Sequence, residues 1–311
     1  MKLETAKVNL ILVFFLLLCS CTERQEEGLS ICFTGDLLLD RGVRQEIERK
    51  KSVGYLLTDV KALFQSSNAV VVNLELPFTD TVSAINKKFI FRGEPEWLPE
   101  LYSNGITHAV LANNHSIDQG REGLVSTYRH LTKAGIVAMG YGKTQQAACE
   151  PVFIKKGNIE LALYSSVPLP IENWVYLENT HGICQCQSDD LCSSIKKLKQ
   201  VKPDCKVIVI LHWGSEFQQT PTMTQQIDAR RIIDAGAEVI IGHHPHVIQE
   251  EEIYKGKPIF YSLGNFIFDQ SKPYTDKGLI VNLKFTRDSL SFHKHYIKIK
   301  DCKPYPEISE D

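Results

Sequence analysis

Six short apolar segments in this chain each run straight into a cluster of Asp, Glu, Asn or His, and amphipathic stretches separate them. The apolar runs have strand length: Ile31 to Phe33, Ala69 to Val72, His108 to Leu111, Lys206 to Leu211, Glu238 to Ile241 and Ile259 to Ser262. Between them the spacing predicts helices over Tyr55 to Phe64, Pro95 to Tyr102, Glu122 to Lys133, Leu191 to Gln200 and Thr224 to Asp234, with Gly135 and Gly236 as stop signals. Strands that are apolar throughout and alternate with helices predict an α/β fold whose mostly parallel sheet is buried on both faces. Such a sheet gathers the residues just past its strands at one carboxyl edge, where open α/β folds bind ligands.

The first segment gives GDLLLD with Asp36 and Asp40, the second NLE with Asn73 and Glu75, and the third NNHSID with Asn113, Asn114, His115 and Asp118. The fourth gives HWGSE with His212 and Glu216, the fifth GHHPH with His243, His244 and His246, and the sixth SLGNFIFD with Ser262, Asn265 and Asp269. An Asp after Gly often does no more than cap a turn, and a lone His near a strand end is usually a hydrogen-bonded structural residue. Together, however, the clusters hold five of the ten histidines. Apolar strands do not run repeatedly into groups that are costly to desolvate unless those groups share a use. One polar active-site cleft is therefore expected.

Carboxylate, carboxamide and imidazole together suit a divalent ion, Mn or Mg through oxygen and Zn or Fe through nitrogen. One or two such ions would activate a water and clamp an ester undergoing displacement. Asp36, Glu75, Asn114, His212 and one or two of His243, His244 and His246 are the available ligands. His115 is the candidate to protonate a leaving group, with Asp118 to orient it. Asn73, Asn113, Glu216, His243 and Asn265 remain for substrate, and Arg92, with Lys87 and Lys88, offers cations to its carboxylates or phosphates.

A net charge of −2 and a pI near 6.6 show none of the basic excess that phosphate-backbone binding requires, so nucleic acid is not an expected partner. Lys2 and Lys7 precede an apolar run from Leu10 to Leu18 that is too short to span a bilayer, which reads as a signal peptide over residues 1–20. The run ends in Leu18, Cys19, Ser20, Cys21, similar to the bacterial lipobox, so Cys21 is the expected lipidation site. Residues 21–30 read as a polar tether and 31–311 as one domain, lipid-anchored in a bacterial cell envelope at the periplasmic face or the cell surface. Cys184, Cys186, Cys192 and Cys205 would supply a disulfide there or stay as buried thiols. A hairpin is expected over Val152 to Tyr164, an irregular insertion over Leu163 to Cys192, and a second, C-terminal hairpin over Gly278 to Ile299.

GDLLLDRG, NLELP, NNHSIDQG, HWGSE, GHHPHVIQ and YSLGNFIFD, in that order from Ile31 to Asp269, resemble the successive signatures of the CapA family of poly-γ-glutamate capsule proteins. The resemblance implies a calcineurin-like metallophosphatase fold, a two-sheet β sandwich flanked by helices, where periodicity alone predicts a single doubly wound sheet. It implies an envelope lipoprotein that makes, anchors or processes poly-γ-glutamate or a related anionic polymer. That role could be a metal-dependent hydrolase or transferase, a phosphoesterase on another substrate, or a non-catalytic accessory to the polymer or a capsule synthase complex. Residue by residue, Asp36 matches the Asp of the first phosphatase motif, Glu75 the bridging carboxylate, Asn114 and His115 the Asn-His pair, His212 the lone strand-end His, and His244 and His246 the closing His-x-His. Three positions depart from the phosphatases: Leu38 stands where the first motif has a His, Glu75 replaces an Asp, and His243 competes for the closing pair. The resemblance thus leaves the number of ions open.

Overall fold

The computed structural model describes residues 28–307 other than 83 and 176, so Cys21 and the apolar run before it lie outside the described residues. β1 (Leu29–Leu37) leads through α1 (Gly42–Lys50) and α2 (Lys61–Phe64) to β2 (Ala69–Leu74). α3 (Leu98–Ser103), β3 (His108–Val110), α4 (Gly120–Ala134) and β4 (Val137–Met139) follow. Next come β5 (Tyr141–Gly142), α5 (Gln145–Ala148), β6 (Val152–Lys156), β7 (Ile159–Ser166), β8 (Gly182–Ile183), α6 (Ser188–Val201), β9 (Lys206–His212), α7 (Met223–Asp234) and β10 (Val239–His243). The rest is strand: β11 (Glu251–Tyr254), β12 (Lys257–Phe260), β13 (Asn265–Ile267), β14 (Lys277–Phe285), β15 (Leu290–Lys300) and β16 (Lys303–Pro306).

Two large mixed sheets result. One runs β16-β15-β14-β1-β2-β3-β4, with β13 also paired to β1; the other runs β11-β12-β10-β9-β7-β6. Their central strands, β1 to β4 in the first and β7, β9, β10 and β12 in the second, are parallel. Alternation along β9 shows how the sheets stack. Ile208 and Ile210 join Ile31 and Phe33 in the core between the sheets, while Val207, Val209 and Leu211 meet Ile195 of α6 and Ile232 of α7 on the outer face. Both faces of β9 are buried, which is why its sequence is apolar without a break. α7 opens with a capping box, in which Thr222 Oγ1 accepts from Gln225 N at 3.2 Å and Gln225 Oε1 accepts from Thr222 N at 2.9 Å.

Several elements differ from the sequence reading. The helix expected over Tyr55 to Phe64 is broken into a 3₁₀ turn at Gly54–Leu57 and the four-residue α2. The break lets Asp59 pair with Lys303 of β16 while Leu56, Leu57 and Val60 stay buried. α1 was not expected, because only Val43 and Ile47 form its buried stripe. The C-terminal hairpin gains a third strand, β16. Cys149, not among the four cysteines considered, forms the disulfide with Cys184, while Cys192 and Cys205 are buried thiols.

Gly35 explains how the first cluster is fixed. At Asp36 the chain lies beside β13, with Asp36 N donating to Gly264 O at 2.9 Å, and a Cβ at Gly35 would sit 2.1 Å from that same oxygen. Gly242, before the histidine trio, is constrained likewise by Tyr261 O, 1.9 Å from any Cβ. Gly35→Ala is expected to destabilise the fold by about 2 kcal/mol or more in urea unfolding, the scale of overpacking. A variant as stable as the parent would mean that β1 and β13 do not approach in this way.

Candidate functional site

Parallel strands from both sheets end together. Asp36 lies near the end of β1 in register with Asn73 of β2 and Asn265 of β13, and His212 closes β9 opposite His243 of β10. Glu75 follows β2, Asn113, Asn114 and His115 follow β3, and His244 and His246 follow β10. The strand ends that carry the motifs thus lie together at one edge.

Asp36 and Glu75 are both fully buried but differently provided for. Asp36 Oδ1 accepts from Asn73 Nδ2 at 2.7 Å and lies 3.3 Å from His243 Nδ1; Asp36 Oδ2 is 3.1 Å from His246 Nδ1 and 3.4 Å from the His244 N–H. Burial raises the Asp36 carboxyl, but the His243 and His246 imidazoles outweigh it and hold it well below the usual carboxylate range. Glu75 Oε1 and Oε2 are buried and accept no hydrogen bond. Burial pushes this carboxyl well above its ordinary range, countered only in part by His246.

The histidines divide by tautomer. His246 Nδ1 faces two acceptors, Asp36 Oδ2 and Asn265 Oδ1 at 3.0 Å, and so carries the proton; its Nε2 points to Glu75 Oε1 at 3.7 Å. Burial lowers the His246 pKa, but Glu75 and Asp36 prevail and raise it to about 9. His212 is the reverse. Its Nδ1 is 3.2 Å from Asn73 Nδ2, a donor, so Nε2 carries the hydrogen and donates to Asn114 Oδ1 at 3.0 Å, with Glu75 Oε1 at 3.8 Å. Burial and the neighbouring His244 keep His212 well below its ordinary range, and burial and His246 bring His244 down to about 4. Glu75 Oε1 therefore stands between two imidazoles, one with a lone pair available to a cation on loss of its proton and one already committed to Asn114.

The other flank is a buried relay. His115 Nδ1 is 2.8 Å from Asp118 Oδ2, which also accepts from Phe91 N at 2.8 Å. Lys87 Nζ donates to Asp118 Oδ1 and to Asn114 O, each at 2.6 Å, and is 4% exposed. Burial lowers the His115 pKa, with Asp118 opposing.

The expected ligands Asp36, Glu75, Asn114, His212, His244 and His246 are thus gathered, as is the His115–Asp118 pair. Several of the residues expected to meet substrate have their polar atoms engaged within the protein. Asn113 Nδ2 donates to Leu74 O at 2.9 Å and Val110 O at 3.2 Å, and its Oδ1 accepts from His115 N and Ser116 N. Asn265 Nδ2 donates to Gln270 Oε1 and Thr275 O, and Asn73 joins Asp36 to His212. These three are fully buried supports whose polar atoms are already used, and His243 is buried with them. Arg92 pairs with Glu94 at 2.7 Å and donates to Thr79 O at 3.0 Å, so its charge is spent away from the carboxylates. Glu216 is exposed. Leu38 is buried, its N–H bonded to Ile267 O at 2.9 Å. Two residues escaped the sequence reading: Lys87 in its role of pinning Asp118, and Arg41, a charged neighbour of the first cluster whose conformation no sequence pattern reveals. Asp118→Ala is expected to cost about 3 kcal/mol or more in urea unfolding by stranding buried Lys87 without its counter-charge, and adding Lys87→Met should recover most of the loss. Equal losses in the single and double variants would mean that Lys87 escapes to water.

The model of the family described as bacterial capsule synthesis protein PGA_cap matches residues 30–270. A PGA biosynthesis protein CapA from Bacillus subtilis is 29% identical over 285 residues, 90% of this chain and 74% of that protein. A capsule biosynthesis protein CapA from Bacillus anthracis is 29% identical over 264 residues, 83% of this chain; the chain spans 64% of that relative's length. Among solved structures, an NAD nucleotidase from Haemophilus influenzae superposes with a TM-score of 0.51 at 12% identity, over 92% of this chain and 61% of that one. That likeness bears on the fold alone, and the two stacked sheets with flanking helices are the calcineurin-like metallophosphatase arrangement. With the family model covering most of the residues that build the strand ends, the chain belongs to the bacterial capsule synthesis protein PGA_cap family.

Proposed function

We propose that this protein is a lipid-anchored envelope protein that binds a divalent cation at the Glu75 centre and acts on an anionic capsule polymer of the poly-γ-glutamate kind, by hydrolysis or transfer. The carrying observation is Glu75. A carboxylate whose two oxygens are both buried without a donor has its full acceptor capacity unspent, and such a group is expensive to keep unless a cation meets it. Ligand atoms of Asp36, Glu75 and His246 lie within 4.8 Å of one another, and His246 is backed by Asp36 and Asn265 as metal-ligating histidines generally are. The donor set fits a cation of the Mn, Fe or Zn class. Such a cation would supply Lewis-acid polarisation and charge neutralisation at the scissile group.

The chain's own residues carry the rest. With its Nδ1 hydrogen given to Asp118, His115 holds a lone pair at Nε2, where it takes up a proton and returns it to a leaving group. Lys87 fixes Asp118 and so the ring. The anchor reading keeps Cys21 as the lipidated residue of a 21–30 tether ahead of the 31–311 domain; the names of the relatives support the envelope setting, and among the described residues no helix is long and apolar enough to cross a membrane. A second reading, a non-catalytic accessory that binds polymer or a synthase complex, is favoured by the His212–Asn114 bond, which closes the other side of Glu75.

Elemental analysis of protein stripped and reloaded with Mn, Zn or Fe should find about one tightly held ion per chain, lost in Glu75→Gln. Turnover of poly-γ-glutamate or a chromogenic phosphodiester should fall about 100-fold or more in His115→Ala with the ion retained. No bound ion, together with turnover indifferent to both substitutions, would sink the proposal; ion and polymer binding without turnover would favour the accessory reading.

A further inference from the structure

Arg41 belongs to the first motif, yet nothing in the proposed chemistry uses it. Its backbone stands at φ 54 and ψ −123, a conformation that only glycine adopts freely. Of the ten non-glycine residues at positive φ among the described residues, four lie at this one site: Arg41, Phe217, His244 and His246. Strain of this kind persists where the surroundings impose it, and it gathers at functional sites.

The Arg41 guanidinium is held between two rings, with Cζ 5.0 Å from the centre of Phe91 and 5.5 Å from that of Phe268. The same rings pack on the site's histidines, Phe91 on His115 at 4.4 Å and Phe268 on His246 at 4.9 Å. One arm, Nη2, pairs with Asp269, whose other oxygen accepts the Gly42 N–H at 2.9 Å. Nε is buried and finds no acceptor among the described residues, while the side chain as a whole is 35% exposed. An orphaned buried donor is uncommon, because it forfeits the desolvation cost of the group. Ring faces hold the guanidinium plane, and with Nη2 on Asp269 and Nε buried, Nη1 is the arm left to meet an anion. His246 has a second aromatic neighbour, Phe217, at 6.1 Å, and Lys272 Nζ sits 3.6 Å from the centre of that ring.

We infer that Arg41, with Lys272 as a second and looser grip, is the seat for anionic groups of the substrate beside the centre: carboxylates of a glutamyl polymer or phosphates of a phosphoester. This rests on the proposed reading of the Glu75 centre. With Nη2 paired to Asp269, Arg41 contributes Nη1 and its charge to one oxygen of an anion, and Lys272 a point charge for a neighbouring one.

The test uses the mature chain loaded with Mn, a fluorescent γ-linked oligoglutamate read by anisotropy, and inorganic phosphate read by calorimetry. Arg41→Gly is the informative variant, because glycine relieves the backbone strain and the fold is kept. Oligoglutamate affinity should drop about tenfold or more in Arg41→Gly and about threefold in Lys272→Ala, with a shallower salt dependence and unchanged Mn content and melting temperature. Arg41→Lys should restore part of the loss. Unchanged affinity in Arg41→Gly overturns the seat and leaves the polymer reading intact. If the parent ignores oligoglutamate but binds phosphate through Arg41, the seat stands and the polymer reading falls. A parent that binds neither probe overturns the seat.

Discussion

Two carboxylates, Asp36 and Glu75, are fully buried where the strands of two sheets end, and the arrangement around them answers the cost of keeping charge out of water. An ion taken from water into a protein interior carries a penalty of several kcal/mol even after relaxation, offset only by partners with good geometry. Asp36 has such partners in Asn73, His246 and the His244 N–H, with His243 beside it. Glu75 has none of that kind, only imidazoles at 3.7 and 3.8 Å. A fold that solves the problem for one carboxylate and leaves its neighbour open has built a place for positive charge, which the His246 proton occupies when nothing else does.

Holding that place requires a rigid surround, and the structure supplies it through saturated amides. Asn113 fixes the turn that presents Asn114 and His115, Asn265 sets the His246 tautomer, and Asn73 ties Asp36 to His212. Each uses both ends of its carboxamide, so the ring orientations follow from backbone positions in the strands. The Lys87–Asp118 pair does the same for His115. Positioning residues of this kind are as necessary to a site as the atoms that touch a ligand.

Sequence carries part of this and hides part. The strand ends were legible because an apolar run that stops at Asp, Asn or His marks both a buried strand and its polar edge; all six runs coincide with strands of the two sheets or adjoin them. Which amides are consumed was not legible, since that depends on partners such as Asp36 and His212, whose distance along the chain no local pattern encodes. Arg92 and Arg41 show the same limit. Both lie near the motifs and both have a carboxylate partner, and only tertiary contacts reveal that Glu94 and Thr79 O engage the first while Asp269, Phe91 and Phe268 hold the second. The α2 break and the Cys149 pairing likewise depend on partners far along the chain, Lys303 and Cys184.

The open side of Glu75 and the proposed anion seat fall on the same flank. His212 and Asn114 are bonded to each other on one side, so a cation there would have to break a buried hydrogen bond and change a tautomer. Leu38, where a further imidazole stands in the phosphatase pattern, fills its position with buried apolar volume and offers no ligand. On the other side His246 keeps Nε2 toward Glu75, and its ring packs on Phe268, which carries Arg41. A single cation at His246 and a substrate anion at Arg41 would then be neighbours, and the attraction between them would act over a short distance in a partly dry setting, where charge is least screened. On the proposed reading, this one-sided arrangement around Glu75 would suit a substrate that brings its own negative charge.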